Sequence, residues 1–213
     1  MLCWFCNLFH FLYLYFGMRP DNERELIRRV KRDPQAFAVI YDEHYHSIFS
    51  YIFRRLADYD LARDVTAETF LKAFQKIGTF EWRNIPLSAW LFRIATNEIN
   101  LHFRRSKNKT LSLDPDLSSY LPYDEGVEDE KVLSKKALQE NQEFLMVQKQ
   151  LVRLDTKYQE VIALRFFEEK SMKEISAILG KKESTIKSLL SRGLKKLRMA
   201  LEREPLSLGE GLG

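Results

Sequence analysis

Cysteine is nearly absent from this chain: of 213 residues only Cys3 and Cys6 carry thiols. Two such residues cannot build a disulfide framework, so nothing favours an oxidising compartment and a cytoplasmic protein is expected. Cys3-x-x-Cys6 is half of a zinc-ligand pattern, but no second pair follows, so no metal is expected. Glycine and proline are scarce too, at eight and six residues, which excludes collagen-like and Gly/Pro-rich disordered chains. Also missing are a Ser/His/Asp set, an HExxH helix and a phosphate-binding glycine loop. Gly180-Lys181-Lys182-Glu183-Ser184 shares letters with such a loop, but its spacing is wrong and no strand precedes it. His44 and His46 stand two apart and face different sides of a helix. Catalysis, a cofactor and a small-molecule substrate are accordingly not expected.

Net charge is small, +4 from 34 bases and 30 acids, until it is divided by position. Residues 19–109 hold 17 bases and 12 acids, residues 110–145 hold 3 and 9, and residues 146–213 hold 14 and 9. Two basic blocks of +5 thus flank an acidic segment of −6, a pattern that points to a polyanion partner. The length allows one or two domains with real cores. Residues 1–18 stand apart, with 15 of 18 apolar or aromatic. The stretch is marginal for a membrane span, which needs about 20 residues, and it lacks the basic start and cleavage site of a secretory signal. A short anchor, a partner-binding segment and a stretch translated ahead of the true start are the options. Composition favours the last, with Met18 opening the polar run that follows.

Helical periodicity organises the rest. Asp33-Pro34 is a helix-start signal, and behind it Phe37, Ile40, Tyr41, Ile48, Phe49, Ile52, Phe53 and Leu56 recur at three- and four-residue steps. Asp58 or Asp60 caps a second helix with Leu61, Val65, Phe70, Phe74 and Ile77 inside, ended by Gly78. After a loop, Thr79 to Ile85, Pro86 leads a third helix carrying Leu87, Trp90, Leu91, Ile94, Ala95 and Ile99. Periodicity vanishes from about Thr110 to Glu130, where Ser, Pro and acids dominate and too little apolar surface offsets the ordering entropy. It resumes with Phe144, Val147, Leu151 and Leu154, then Tyr158, Val161, Ile162 and Phe166. The expected fold is all-α: a domain over 19–109, a flexible acidic linker over 110–143, a helix-turn-helix domain over 144–204 and a disordered tail over 205–213.

Three constellations could carry function. Ser171-Met172-Lys173-Glu174 is a capping box, opening a short helix that stops at Gly180. A second helix from Ser184 or Thr185 buries Ile186, Leu189, Leu190, Leu194, Leu197 and Leu201. Its other face shows Lys187, Ser188, Ser191, Arg192, Lys195 and Lys196, which is the layout of a helix-turn-helix. Lys182, Glu183, Ser184, Thr185, Lys187 and Ser188 would enter a major groove and meet base edges, with Arg192, Lys195 and Lys196 on phosphate. A solvated charged face on an ordinary helix hairpin is the plainer alternative. The second constellation combines Phe80, Trp82, Arg83, Asn84, Trp90, Phe92, Arg93, Asn97, Asn100, Phe103, Arg104 and Arg105. Aromatic faces, amides and cations together suit single-stranded nucleic acid, although Trp90 and Phe92 could equally be core. The third is Asp64 and Glu68, four apart beside Phe70 and Leu71. They form either an acid/base or metal pair or, more commonly, a solvated docking patch for a basic partner.

In order, these pieces resemble the sigma-70 family of bacterial RNA polymerase sigma factors, in its small two-domain extracytoplasmic-function (ECF) form. The resemblance runs from Asp33 to Leu201, less the linker. Asp33-Pro34-Gln35-Ala36-Phe37 and its aromatic helix resemble the start of the family's first conserved domain. Ala62 to Phe74 is similar to the polymerase-docking helix, with Ala67 where members usually carry Gln. Ala89 to Asn97, ending in Arg104-Arg105, is similar to the segment that opens and reads the −10 element. Tyr158 to Leu201 is similar to the −35-reading domain. The resemblance implies docking on core polymerase through Asp64, Glu68, Phe70 and Leu71. It implies contact with unstacked −10 bases through Trp82, Arg83, Asn84, Trp90, Arg93, Asn97, Asn100, Arg104 and Arg105. It places Lys181 to Thr185, Lys187, Ser188, Ser191 and Arg192 on −35 duplex, and the acidic linker in a positive channel of the polymerase. An anti-sigma inhibitor is a common further partner in the family. A free-standing helix-turn-helix regulator is the alternative, but it leaves the first domain and the linker without a role.

Overall fold

The computed structural model describes residues 20–81, 85–107 and 135–203. The readings made of residues 1–18, of Trp82-Arg83-Asn84, of the linker up to residue 134 and of the tail fall outside the described residues. Within them there is no strand. The first module contains α1 (Pro20–Arg32), a 3-10 turn at Pro34–Ala36, α2 (Phe37–Leu56), α3 (Tyr59–Lys76), a second 3-10 turn at Ile77–Thr79, and α4 (Leu87–Lys107). The second contains α5 (Lys135–Val152), α6 (Thr156–Ile162) running into a π turn at Ala163–Phe167, α7 (Met172–Leu179) and α8 (Glu183–Arg203).

Helices α2, α3 and α4 pack on one another, because each buries the stripe its periodicity marks. Ile40, Ile48, Tyr51 and Ile52 meet Val65, Phe70 and Ala73, and both sets meet Leu87, Leu91, Phe92, Ala95 and Ile99. Asp58 caps α3, its Oδ1 accepting from the Leu61 amide at 2.9 Å. Asp33 likewise accepts from the Gln35 amide at 3.0 Å. The structure departs from expectation here at α1, Gly78 and Phe92. Helix α1, a segment for which no element was expected, buries Leu26, Ile27 and Val30 on one face and leaves its charges, Glu23 excepted, on the other. Gly78 sits inside a 3-10 turn rather than ending the helix. The left-handed residue is Ala57, φ 52°, which closes α2. Phe92, offered as a base-stacking ring, is core, edge-on to Tyr51 with centroids 5.2 Å apart.

In the second module α8 lies across α6 with Gly193 at the crossing. A Cβ there would stand 3.1 Å from Ile162 Cδ1 and 3.2 Å from Tyr158 Cβ, so the close approach depends on glycine. The capping box forms as expected: the Glu174 amide donates to Ser171 Oγ at 3.2 Å, and the Ser171 amide donates to Glu174 Oε2 at 2.9 Å. Gly180, φ +63°, closes α7 in the left-handed region that favours glycine. Helix α5 begins at Lys135, nine residues before Phe144 opens its apolar stripe, in a run dominated by good helix formers such as Lys135, Lys136, Ala137 and Leu138. The π turn widens the helix by one residue. It leaves Phe166 exposed and Phe167 packed, edge-on to Phe144.

The two modules are closed on each other. Helix α7 packs on α4, and α5 and the π turn pack on α2. Arg54 Nη1 donates to Glu168 Oε1 at 2.8 Å, and Gln148 Nε2 donates to the Phe53 carbonyl at 3.2 Å. Lys170 Nζ lies 4.8 Å from the centre of the Phe92 ring.

Candidate nucleic-acid interface

Helix α4 sorts its residues by angle. At 100° per residue the steps 3, 4, 3 and 4 return to one side of a helix, and Trp90, Arg93, Asn97, Asn100 and Arg104 follow them. Arg93, Asn97 and Arg104 are exposed, while Trp90 and Asn100 are half-buried. Trp90 leans on Phe80 of the preceding loop, centroids 4.7 Å apart. Asn100 is oriented from below, its Oδ1 accepting from Arg55 Nη2 at 3.2 Å. Arg105 is turned away from this stripe and instead lines a cleft with Asp64, Glu68, Lys72, Glu98 and His102.

The stripe faces two open cavities whose far walls belong to the second module. One, about 450 Å³, is lined by Lys76, Thr79, Phe80, Ile85, Trp90 and Arg93, with Ala177 of α7 opposite. The other, about 500 Å³, sets Asn97, Asn100, Phe103 and Arg104 against Thr156, Lys157 and Glu160 of α6. Aromatic faces, amides and guanidinium groups therefore line spaces broad enough for unstacked bases. In this arrangement they are shared with the second module.

On α3, Asp64 and Glu68 are both exposed. Glu68 pairs with Lys72 Nζ at 3.0 Å, and the same ammonium also pairs with Glu98 of α4. A lysine bridge between carboxylates is poor ground for acid/base work and good ground for a charged docking rim. Phe70 lies in the core under Tyr41, centroids 4.8 Å apart. The apolar side chains that α3 does show are Tyr59, Leu71 and Phe74, the last expected inside. Among the described residues no group of three or more His, Cys, Asp or Glu side chains is placed to hold a metal.

Helix α8 starts at Glu183 and buries Ile186, Leu189, Leu190 and Leu197. Lys182, Glu183, Ser184, Thr185, Lys187, Ser188, Ser191 and Arg192 are all exposed, and Lys181 is half-buried at the turn. Ser176 Oγ donates to the Lys181 carbonyl at 2.6 Å, tying the turn to α7. Arg192 Nε donates to the Ser188 carbonyl at 3.1 Å, so its guanidinium lies back along the helix. Leu194, expected in the buried stripe, is exposed.

Two titrating groups sit where the modules meet. Burial, and then the Lys170 charge, pushes the His44 imidazole down to about 4. Burial pushes the Glu168 carboxyl up to about 7 against the opposing pull of Arg54 and Lys170.

Two family models match the chain: sigma-70 region 2 over residues 40–109 and sigma-70 region 4 over residues 144–197. The ECF RNA polymerase sigma factor SigW of Bacillus subtilis is 32% identical over 182 residues, covering 84% of this chain and 96% of SigW. The chain belongs to the ECF sigma factors. BldN of Streptomyces coelicolor, another ECF sigma factor, is 31% identical over 83% of this chain, which spans 65% of BldN's length. Among solved structures, the sigma factor RpoE of Bartonella quintana, crystallised with the anti-sigma factor NepR, has the same fold. Its TM-score is 0.56 at 24% identity, over 83% of this chain and 100% of RpoE. In this sigma factor α3, α4 and all but the first three residues of α2 fall within region 2, and most of α5 to α8 falls within region 4.

Proposed function

We propose that this sigma factor docks on core RNA polymerase with the outward face of α3 and reads promoter DNA with two surfaces. Asp64, Glu68 and Leu71 form the docking rim, acidic and apolar, for a basic partner surface. The Trp90–Arg93–Asn97–Asn100–Arg104 stripe and the loop before α4 hold the −10 strand, stacking bases and neutralising backbone. The first turn of α8 enters duplex at −35. There Lys182 and Lys187 donate to guanine edges, Glu183 accepts from cytosine, and Arg192, Lys195 and Lys196 hold phosphates. The chain supplies recognition; bond making belongs to the polymerase. An anti-sigma protein is the further partner, in keeping with the NepR-bound relative.

The observation that carries this reading is the α4 stripe: five residues able to grip single-stranded nucleic acid share one helix face beside an aromatic loop. Because α6 and α7 stand across that face, the modules must part before DNA can reach it. Alanine at Lys182, Glu183 or Lys187 is expected to change which −35 sequences a reconstituted holoenzyme uses, each altered base contact being worth about 1–3 kcal/mol. Equal loss on every −35 sequence would count against base readout by α8.

A further inference from the structure

Helix α1 touches the −10 loop at both ends. The buried Glu23 reaches past its own helix, and its Oε1 accepts from the Leu87 amide, the first of α4, at 2.6 Å. At the other end Lys31 Nζ donates to the Phe80 carbonyl at 2.8 Å. Phe80 and Leu87 bound the loop, and Phe80 packs on Trp90, the first residue of the stripe.

Covalent length alone leaves the separation of Phe80 and Leu87 open. Seven peptide steps from Phe80 to Leu87 could extend to about 24 Å or fold to a fraction of it. Glu23 and Lys31 are eight residues apart on one helix, so their Cα atoms are separated by about 12 Å along the axis. The Leu87 amide is one of the donors that a helix start leaves without an intrahelical partner. A carboxylate there makes a charge-assisted bond aligned with the helix dipole. Trp90 follows Leu87 by three residues, so a shift of the helix start moves the ring that opens the stripe.

We infer that α1 is a rigid spacer for the −10 reader, with Glu23 and Lys31 as positioning residues that fix the separation of the loop's ends. This rests on the reading that the loop and the α4 stripe hold the −10 strand. Neither residue need touch DNA. Removing either leaves the reading residues in place and loosens the geometry between them.

The test uses core polymerase reconstituted with the full chain, on a promoter it is shown to use and on variants differing only at −10. Initial binding and the rate of isomerisation to the open complex are measured separately, with core affinity alongside. Glu23→Ala and Lys31→Met are each expected to slow isomerisation three- to tenfold and to shrink the ratio between good and poor −10 sequences. Initial binding and core affinity should hold, and Glu23→Gln, which keeps an acceptor oxygen, should recover most of the Glu23→Ala loss. Unchanged isomerisation and an unchanged ratio in both variants would overturn the inference. So would an equal loss on all −10 sequences with weaker initial binding, which marks a smaller active fraction only. If Glu23→Ala does not fold, Lys31→Met, at a solvent-exposed bond, decides alone. A wild-type holoenzyme indifferent to −10 sequence would instead overturn the −10 reading, and the spacer with it.

Discussion

Arg55 has no exposed surface, yet it carries a full charge beneath the α4 stripe. Its Nη1 donates to Tyr51 Oη at 3.0 Å, and Tyr51 Oη donates to Thr96 Oγ1 at 2.8 Å, whose own proton goes to the Phe92 carbonyl. Its Nη2 holds Asn100 at 3.2 Å. One phenol thus supports both a buried cation and, through it, a proposed base-reading amide. Tyr51→Phe is expected to destabilise the fold by about 1–3 kcal/mol by stranding the buried guanidinium, read as a lower urea midpoint. His44 and Glu168 set the pH response. The His44 imidazole lies near 4 in the fold against an ordinary 6.5, so it costs stability progressively as pH falls below 6.5. The Glu168 carboxyl lies near 7 against 4.5, so its contribution is complete below 4.5 and lost as pH rises through 7. The two oppose each other across this window. His44→Gln should therefore gain stability relative to the unaltered protein between pH 7 and pH 5. Urea midpoints that run parallel across that range would contradict this.

Helix α8 packs with one side and offers the other as the proposed −35 reader. Its exposed first turn is usable only because the far side sits tightly on α6, and Gly193 permits that approach. Gly193→Val drives a side chain toward Ile162 and Tyr158. The expected loss is about 1–3 kcal/mol, seen as a lower thermal midpoint and weaker −35 use on every sequence. Elements with long stripes or cap signals were legible from the chain alone: α2 and α3, the Ser171/Glu174 box and the Gly180 stop. Helix α1 was legible too, with Leu26, Ile27 and Val30 on one face, although no element was expected there. Elsewhere the reasons are physical: the start of α5 has propensity without a stripe, and a π turn exchanges Phe166 for Phe167. The candidate site was legible where it followed angle, as in Trp90 to Arg104, and less so where packing intervened, as for Phe70, Phe92 and Arg105. The supports beneath it, Glu23, Lys31 and Arg55, act across 45 to 64 residues of chain, and no local pattern announces such pairs.

At the scale of the whole molecule, two basic modules, each with a proposed nucleic-acid face, are folded against each other. Arg54–Glu168, Gln148 to Phe53 and Lys170 on Phe92 hold them so, with the −10 stripe turned inward. Apolar side chains of both modules join in one buried cluster beside these polar contacts, so parting the modules needs a partner that offsets the surface exposed. In the proposed mechanism core polymerase engages the outward face of α3 and holds the modules apart, so promoter reading belongs to the holoenzyme rather than to the free chain. The direct measurement is run-off transcription. The purified chain is added to bacterial core polymerase free of other sigma factors, RNA 5′ ends are mapped, and promoter protection is measured with and without core. The account predicts RNA from defined start sites only when both components are present, and no promoter protection by the chain alone. Tight, specific promoter binding by the free chain, or no defined start sites with core, would contradict it.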